Sequence, residues 1–122
     1  MGDTGYTAAK PQHGELIKFL QDMVRIDTSN PPGNETPVCE YVKRVLAAEG
    51  IESEIYESEP GRGNLVARLR GDGSKRPLML TAHVDVVPAE AEMWSAPPFS
   101  GEIKDGFLWG RGSLDCKNQL AV

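Results

Sequence analysis

Two short stretches hold residue types able to do metal chemistry: His83-Val84-Asp85-Val86-Val87-Pro88 and Gly110-Arg111-Gly112-Ser113-Leu114-Asp115. An imidazole nitrogen is a common zinc ligand, and a metal-bound histidine usually gives its second ring N–H to a carboxylate or carbonyl. His83 and Asp85 are two apart, so on a strand their side chains point the same way. Asp85 can then orient His83 or act as a second ligand. The plainer reading is a polar strand end satisfied by backbone. In the second stretch the glycines let the backbone bend tightly and approach another segment. Asp115 falls near a helix N-terminus, where negative charge is favoured. A carboxylate there can bridge two metal ions roughly 3.5 to 4 Å apart, or it can simply cap the helix.

The elements that must position these residues follow from the hydrophobic pattern. Leu16, Ile17, Phe19, Leu20, Met23 and Val24 repeat at helical spacing and predict a helix over Glu15–Ile26. Asp27 to Gly33 is a breaker and loop. A second helix is expected with Thr36 as its cap, Pro37 at its first position, and Val38, Tyr41, Val42 and Val45 on its apolar face. Gly50 stops it. Strands are expected over Ile51–Tyr56 and Asn64–Arg70, with a turn at Gly71 to Ser74. Pro77 to Ala82 is a short apolar run that suits a strand buried on both faces, ending at His83. Ligands in α/β sheets usually lie beyond the carboxyl ends of such strands. A loop with Trp94, Pro97, Pro98 and Phe99 follows, then a hairpin over Gly101–Trp109 turning at Asp105-Gly106. A helix start is expected between Asp115 and Lys117. The pattern is that of an α/β sandwich over residues 13–122, preceded by a loose polar arm over 1–12 that leads up to a solvated His13.

Composition narrows the function. The 122 residues are 39% hydrophobic and 25% charged, ordinary values for a soluble globular protein. The net charge of -5 is spread along the chain and offers no basic patch for nucleic acid or an anionic membrane. No apolar run approaches the roughly 18 to 20 residues of a membrane span. The N-terminal residues lack the pattern of a signal peptide, so a cytoplasmic location is expected. Cys39 and Cys116 lie far apart and are expected to be free thiols. The chain stops at Gln119-Leu120-Ala121-Val122 within an apolar helical pattern, with no closing signal, and is expected to be the N-terminal part of a longer enzyme.

Taken in order, Leu80 to Pro88, then Trp94, Pro98 and Phe99, then Gly106, then Trp109 to Lys117 resemble the zinc amidohydrolase family of aminoacylases, acetylornithine deacetylases, succinyl-diaminopimelate desuccinylases and carboxypeptidases. Ile26 to Glu35 also resembles that family's loop after its first helix. The resemblance runs from the helix near Leu16 to Val122. Cys116 departs from the usual Met or Asp, and Asn118 from the usual Gly, at positions without a metal role.

The resemblance implies a three-layer zinc-peptidase-like α/β sandwich with a central mixed, largely parallel sheet flanked by helices, of which this chain holds the N-terminal portion. It implies that His83 and Asp115 bind metal, Asp115 as a bridge between two Zn²⁺ ions (Co²⁺ or Mn²⁺ as substitutes), and that Asp85 is the catalytic-motif residue orienting His83. The implied reaction is amide hydrolysis, with N-acyl amino acids or small peptides as substrates. Acetylornithine or succinyl-diaminopimelate is the runner-up. The family's general-base glutamate, its remaining ligands and its lid domain, which commonly makes a homodimer, come later than residue 122. The isolated chain is therefore expected to bind zinc weakly and to be inactive. Cys116 could offer a thiolate or merely pack. Arg111 is expected to tie the glycine turn to a carboxylate, Lys117 to play a supporting role, Trp94 and Phe99 to pack the loop, and Glu90 and Glu92 to be solvated. A non-catalytic binding module of the same fold, or an ordinary α/β domain with a chance motif, stays open.

Overall fold

A computed structural model describes residues 13–122. The arm over 1–12 and the side chain of His13 lie outside the described residues. Helix α1 spans His13–Val24 and helix α2 spans Thr36–Ala48. A first hairpin pairs β1 (Ser53–Glu57) with β2 (Gly63–Ala67), and a second pairs β3 (Glu102–Lys104) with β4 (Phe107–Trp109). A short helix α3, Lys117–Ala121, ends the chain.

The predicted apolar faces are buried in part: Ile17 is exposed, and Leu16, Phe19, Tyr41, Val42 and Val45 are half-buried. Leu20, Met23 and Val24 of α1 and Val38 and Cys39 of α2 form the core, with Val86, Ala96 and Cys116. Helix α2 packs on both strands of the first hairpin, and α1 packs against α3. Gly50 ends α2 with a positive φ of 72°. The Gly50 N–H donates to the Ala47 carbonyl and the Ile51 N–H to the Leu46 carbonyl, the paired bonds that close a helix C-terminus. Thr36 is not the cap. Glu35 takes that position, without a side-chain bond to the helix, and Thr36 is already helical, with its hydroxyl donating to Glu57. The second hairpin turns as expected: Asp105 and Gly106 have φ of 53° and 80°, both positive, as a tight two-residue turn requires.

One expectation is not met among the described residues. There Pro77 to Ala82 pairs with no strand, and Leu78, Met79 and Leu80 are 83%, 84% and 85% exposed. A strand is buried on both faces only when neighbours flank it and helices cover it. The described strands instead form two separate antiparallel hairpins. The parallel pairing among described residues is a single bridge, Ser29 to Val86. The described chain is thus a mixed α/β unit without a central parallel sheet.

Candidate metal centre

That single bridge builds the site. The loop after α1 docks on the segment carrying His83 and Asp85. Thr28, fully buried, donates its hydroxyl to the Val84 carbonyl at 2.6 Å. The Val86 N–H donates to the Thr28 carbonyl at 3.1 Å, and the Asn30 N–H to the Val86 carbonyl at 2.8 Å. Three bonds therefore tie residues 84–86 to this loop, and the side chains of His83 and Asp85 meet beside it.

The second stretch reaches the same place through its glycines. A Cβ on Gly110 would lie 2.2 Å from Val24 Cγ1, and one on Gly112 would lie 2.6 Å from Val86 Cγ1. Only glycine lets this turn press against both α1 and the His83 segment. The Lys117 N–H closes the turn on the Gly112 carbonyl at 2.9 Å. The Lys117 side chain is fully buried and donates to the carbonyls of Met23 and Ile26, at 3.0 and 2.9 Å. A cationic donor at a helix C-terminus meets the negative end of the helix dipole. Burial pushes the Lys117 amine down to about 8.

At the centre, His83 Nδ1 lies 3.0 Å from the Asp85 carbonyl oxygen and 3.2 Å from Asp85 Oδ1. His83 Nε2 lies 3.0 Å from Asp115 Oδ1. Both ring nitrogens thus face oxygen acceptors. A neutral imidazole has one N–H and one lone pair, so one of these contacts would set acceptor against acceptor. With Nδ1–H donated to Asp85, Nε2 is left to take a proton or a metal ion opposite Asp115. In the metal-free chain the hydrogen bond to Asp115 raises the His83 pKa above its ordinary value, assisted by Asp85 and opposed by burial. Asp85 moves the other way. The Asn30 amide donates to its Oδ2 at 3.1 Å, which together with His83 outweighs burial and lowers its pKa.

The donor set fits a transition metal. Two donors on one tetrahedral zinc, each about 2.0 to 2.1 Å away, stand about 3.3 to 3.4 Å apart, so the contact between His83 and Asp115 needs only a small opening. His83, Asp115 and Cys116 each offer a ligand atom, all within 4.8 Å of one another. The Cys116 thiol is buried and donates to the His83 carbonyl at 3.3 Å. Asp85 sits on the opposite ring nitrogen from Asp115.

A cavity of about 540 Å³ opens over the site, lined among others by Asn30, His83, Asp85, Trp94, Arg111 and Asp115. The expected tie between Arg111 and a carboxylate is not found among the described residues. Its guanidinium instead lies 5.1 Å over the Trp94 ring. Glu90 and Glu92 are exposed, as expected. Thr28 and Asn30 were the residues that spacing did not single out. Their stretch carries a loop signal but nothing that says which strand it docks on.

Residues 79–122, which contain both motif stretches, match the model of peptidase family M20/M25/M40. Within these residues the chain is similar to that family. It is 38% identical over 117 residues to an N-fatty-acyl-amino acid synthase/hydrolase of Xenopus tropicalis, covering 90% of this chain and 23% of that protein. It is 42% identical over 108 residues to a probable succinyl-diaminopimelate desuccinylase of Staphylococcus epidermidis, covering 87% of this chain and 25% of that one. The fold is similar to that of an M20 family metallo-carboxypeptidase from Sulfolobus solfataricus, with a TM-score of 0.77 at 23% identity, over 88% of this chain and 25% of that one. The chain thus spans about a quarter of the length of these relatives.

Proposed function

We propose that the chain is the N-terminal share of a zinc-dependent amidohydrolase acting on N-acyl amino acids or small peptides with a free carboxylate. The observation that carries this reading is the His83 ring, with Asp85 at one nitrogen and Asp115 at the other. In it, His83 and Asp115 hold metal, Asp115 bridges two ions, and Asp85 fixes the tautomer and angle of His83. When bound, two zinc ions would polarise a water and the scissile carbonyl. Two zinc ions need about four ligands each, some of them shared, and His83 and Asp115 cannot supply that number. The remaining ligands and the general-base glutamate are assigned to chain beyond Val122, so residues 1–122 alone are inactive.

The exposed run Leu78 to Leu80 becomes an inner strand of a largely parallel sheet in a three-layer sandwich, flanked by later segments. The whole protein is a homodimer through a later lid domain. Buried free thiols at Cys39 and Cys116 support a reducing, cytoplasmic setting. The desuccinylase relatives favour a second reading within the class, a deacylase for a succinylated or acetylated diamino acid.

The test uses the full-length protein. Amine release is followed on N-acyl amino acids, N-succinyl and N-acetyl diamino acids and dipeptides, before and after chelation and with zinc restored. Zinc-restorable hydrolysis of one of these classes is expected. Hydrolysis of none of them, with zinc bound, would favour a binding module.

A further inference from the structure

We propose that Asn30 is a positioning residue for the metal centre, acting on His83 through Asp85. The inference rests on the metal-centre reading above. The Asp85 carboxylate has two oxygens with different partners: Oδ1 faces His83 Nδ1 at 3.2 Å, and Oδ2 accepts from Asn30 Nδ2 at 3.1 Å. A carboxylate held at one oxygen only can swing about its last torsion and leave the imidazole. Held at both, it cannot turn without giving up a hydrogen bond. Asn30 is itself anchored, because its backbone N–H donates to the Val86 carbonyl at 2.8 Å, on the residue next to Asp85. Ser29 and Val86 form the parallel bridge beside it. The amide is therefore tied to the very segment whose side chain it steadies. Asn30 also lines the cavity with His83, Asp85 and Asp115, so the relay runs along the cavity wall.

The residue type matters. An amide donates to a carboxylate, whereas a carboxylate at the same place would face it as a second acceptor. Asn30→Asp preserves size and the backbone bond but removes the donor. A role confined to packing the loop would leave the Asn30→Ala loss undiminished in the Asp85→Ala background. A positioning role would not.

The experiment measures zinc affinity of the full-length protein by competition with a chromophoric chelator, and the visible spectrum of its Co²⁺-loaded form. The variants are Asn30→Asp, Asn30→Ala, Asp85→Ala, the double variant Asn30→Ala with Asp85→Ala, and His83→Ala. Groups that orient a metal-bound histidine typically account for 10- to 100-fold in affinity, and Asn30 is one bond further out, so a loss of about 3- to 10-fold is expected for Asn30→Ala. Asn30→Asp should lose at least as much and shift the Co²⁺ bands. In the Asp85→Ala background, Asn30→Ala should change nothing more. Should Asn30→Ala fail to fold, Asn30→Asp alone decides, with its metal-free melting temperature showing that the fold is intact. Wild-type affinity and spectrum in Asn30→Asp, or an undiminished Asn30→Ala loss without Asp85, overturns the inference. Full zinc retention by His83→Ala would instead overturn the metal-centre reading on which it rests.

Discussion

His83 Nε2 and Asp115 Oδ1 lie 3.0 Å apart although 32 positions separate them in the chain. Without metal, that contact needs a proton on Nε2, and the hydrogen bond to Asp115 raises the His83 pKa above 6.5. The sign follows. The metal-free ion pair contributes stability below 6.5 and loses it as pH rises through the raised value. Metal binding runs the opposite way, because the proton must leave first. Zinc affinity of the full-length protein should fall steeply as pH drops, with the decline starting above 6.5. Asp115→Asn should bring His83 titration to lower pH, as read by histidine-selective NMR on metal-free protein. An unmoved titration would show that the contact does not form in solution.

Lys117 gives a separate pH effect. Its amine is pushed from 10.5 down to about 8 by burial. Between these values the unfolded chain binds a proton that the folded chain does not, so stability should rise with pH from about 8 to 10.5. Moving the amine from 10.5 to about 8 corresponds to about 3 kcal/mol. Denaturant melts of the full-length protein and of Lys117→Met across that range should diverge, the variant lacking this rise. Parallel curves would mean that Lys117 is solvated.

The glycine turn should tolerate no side chain where it touches its neighbours. Gly112 has a φ of 83° and meets Val86 Cγ1. Gly112→Ala combines overlap with a left-handed backbone and should cost about 2 to 4 kcal/mol. Gly71 meets nothing within 4 Å, so Gly71→Ala should stay within about 0.5 kcal/mol of wild type. Thermal melts check both, and equal effects would contradict the packing described.

These contrasts show what the sequence makes legible. The helices, the Gly50 stop and the Asp105-Gly106 turn are local, set by side-chain period and by backbone conformations that few residues accept. His83, Asp85 and Asp115 stand out because metal chemistry uses few residue types. The docking of Thr28 and Asn30 on Val84 to Val86 is nonlocal, and a polar loop does not announce which strand it will bridge. Leu78 to Leu80 carry the pattern of an inner strand, but a strand's burial belongs to its neighbours, and the described residues supply none.

That run supplies a further prediction. If Leu80 lies inside a completed sheet, Leu80→Ala should destabilise the full-length protein by about 2 to 5 kcal/mol, as a buried large-to-small change does. Amide protons of residues 78–80 should exchange slowly. Fast exchange, with a loss under about 0.5 kcal/mol, would leave the run at the surface.

The most direct measurement is the zinc content of the purified full-length protein, wild type against His83→Ala and Asp115→Ala, by elemental analysis. Two zinc ions per subunit are predicted for wild type. Asp115→Ala should lose metal and amide hydrolysis together, and His83→Ala should lose at least one ion. Two retained zinc ions in a folded Asp115→Ala protein would contradict the bridging assignment, and with it the centre built on His83 and Asp115.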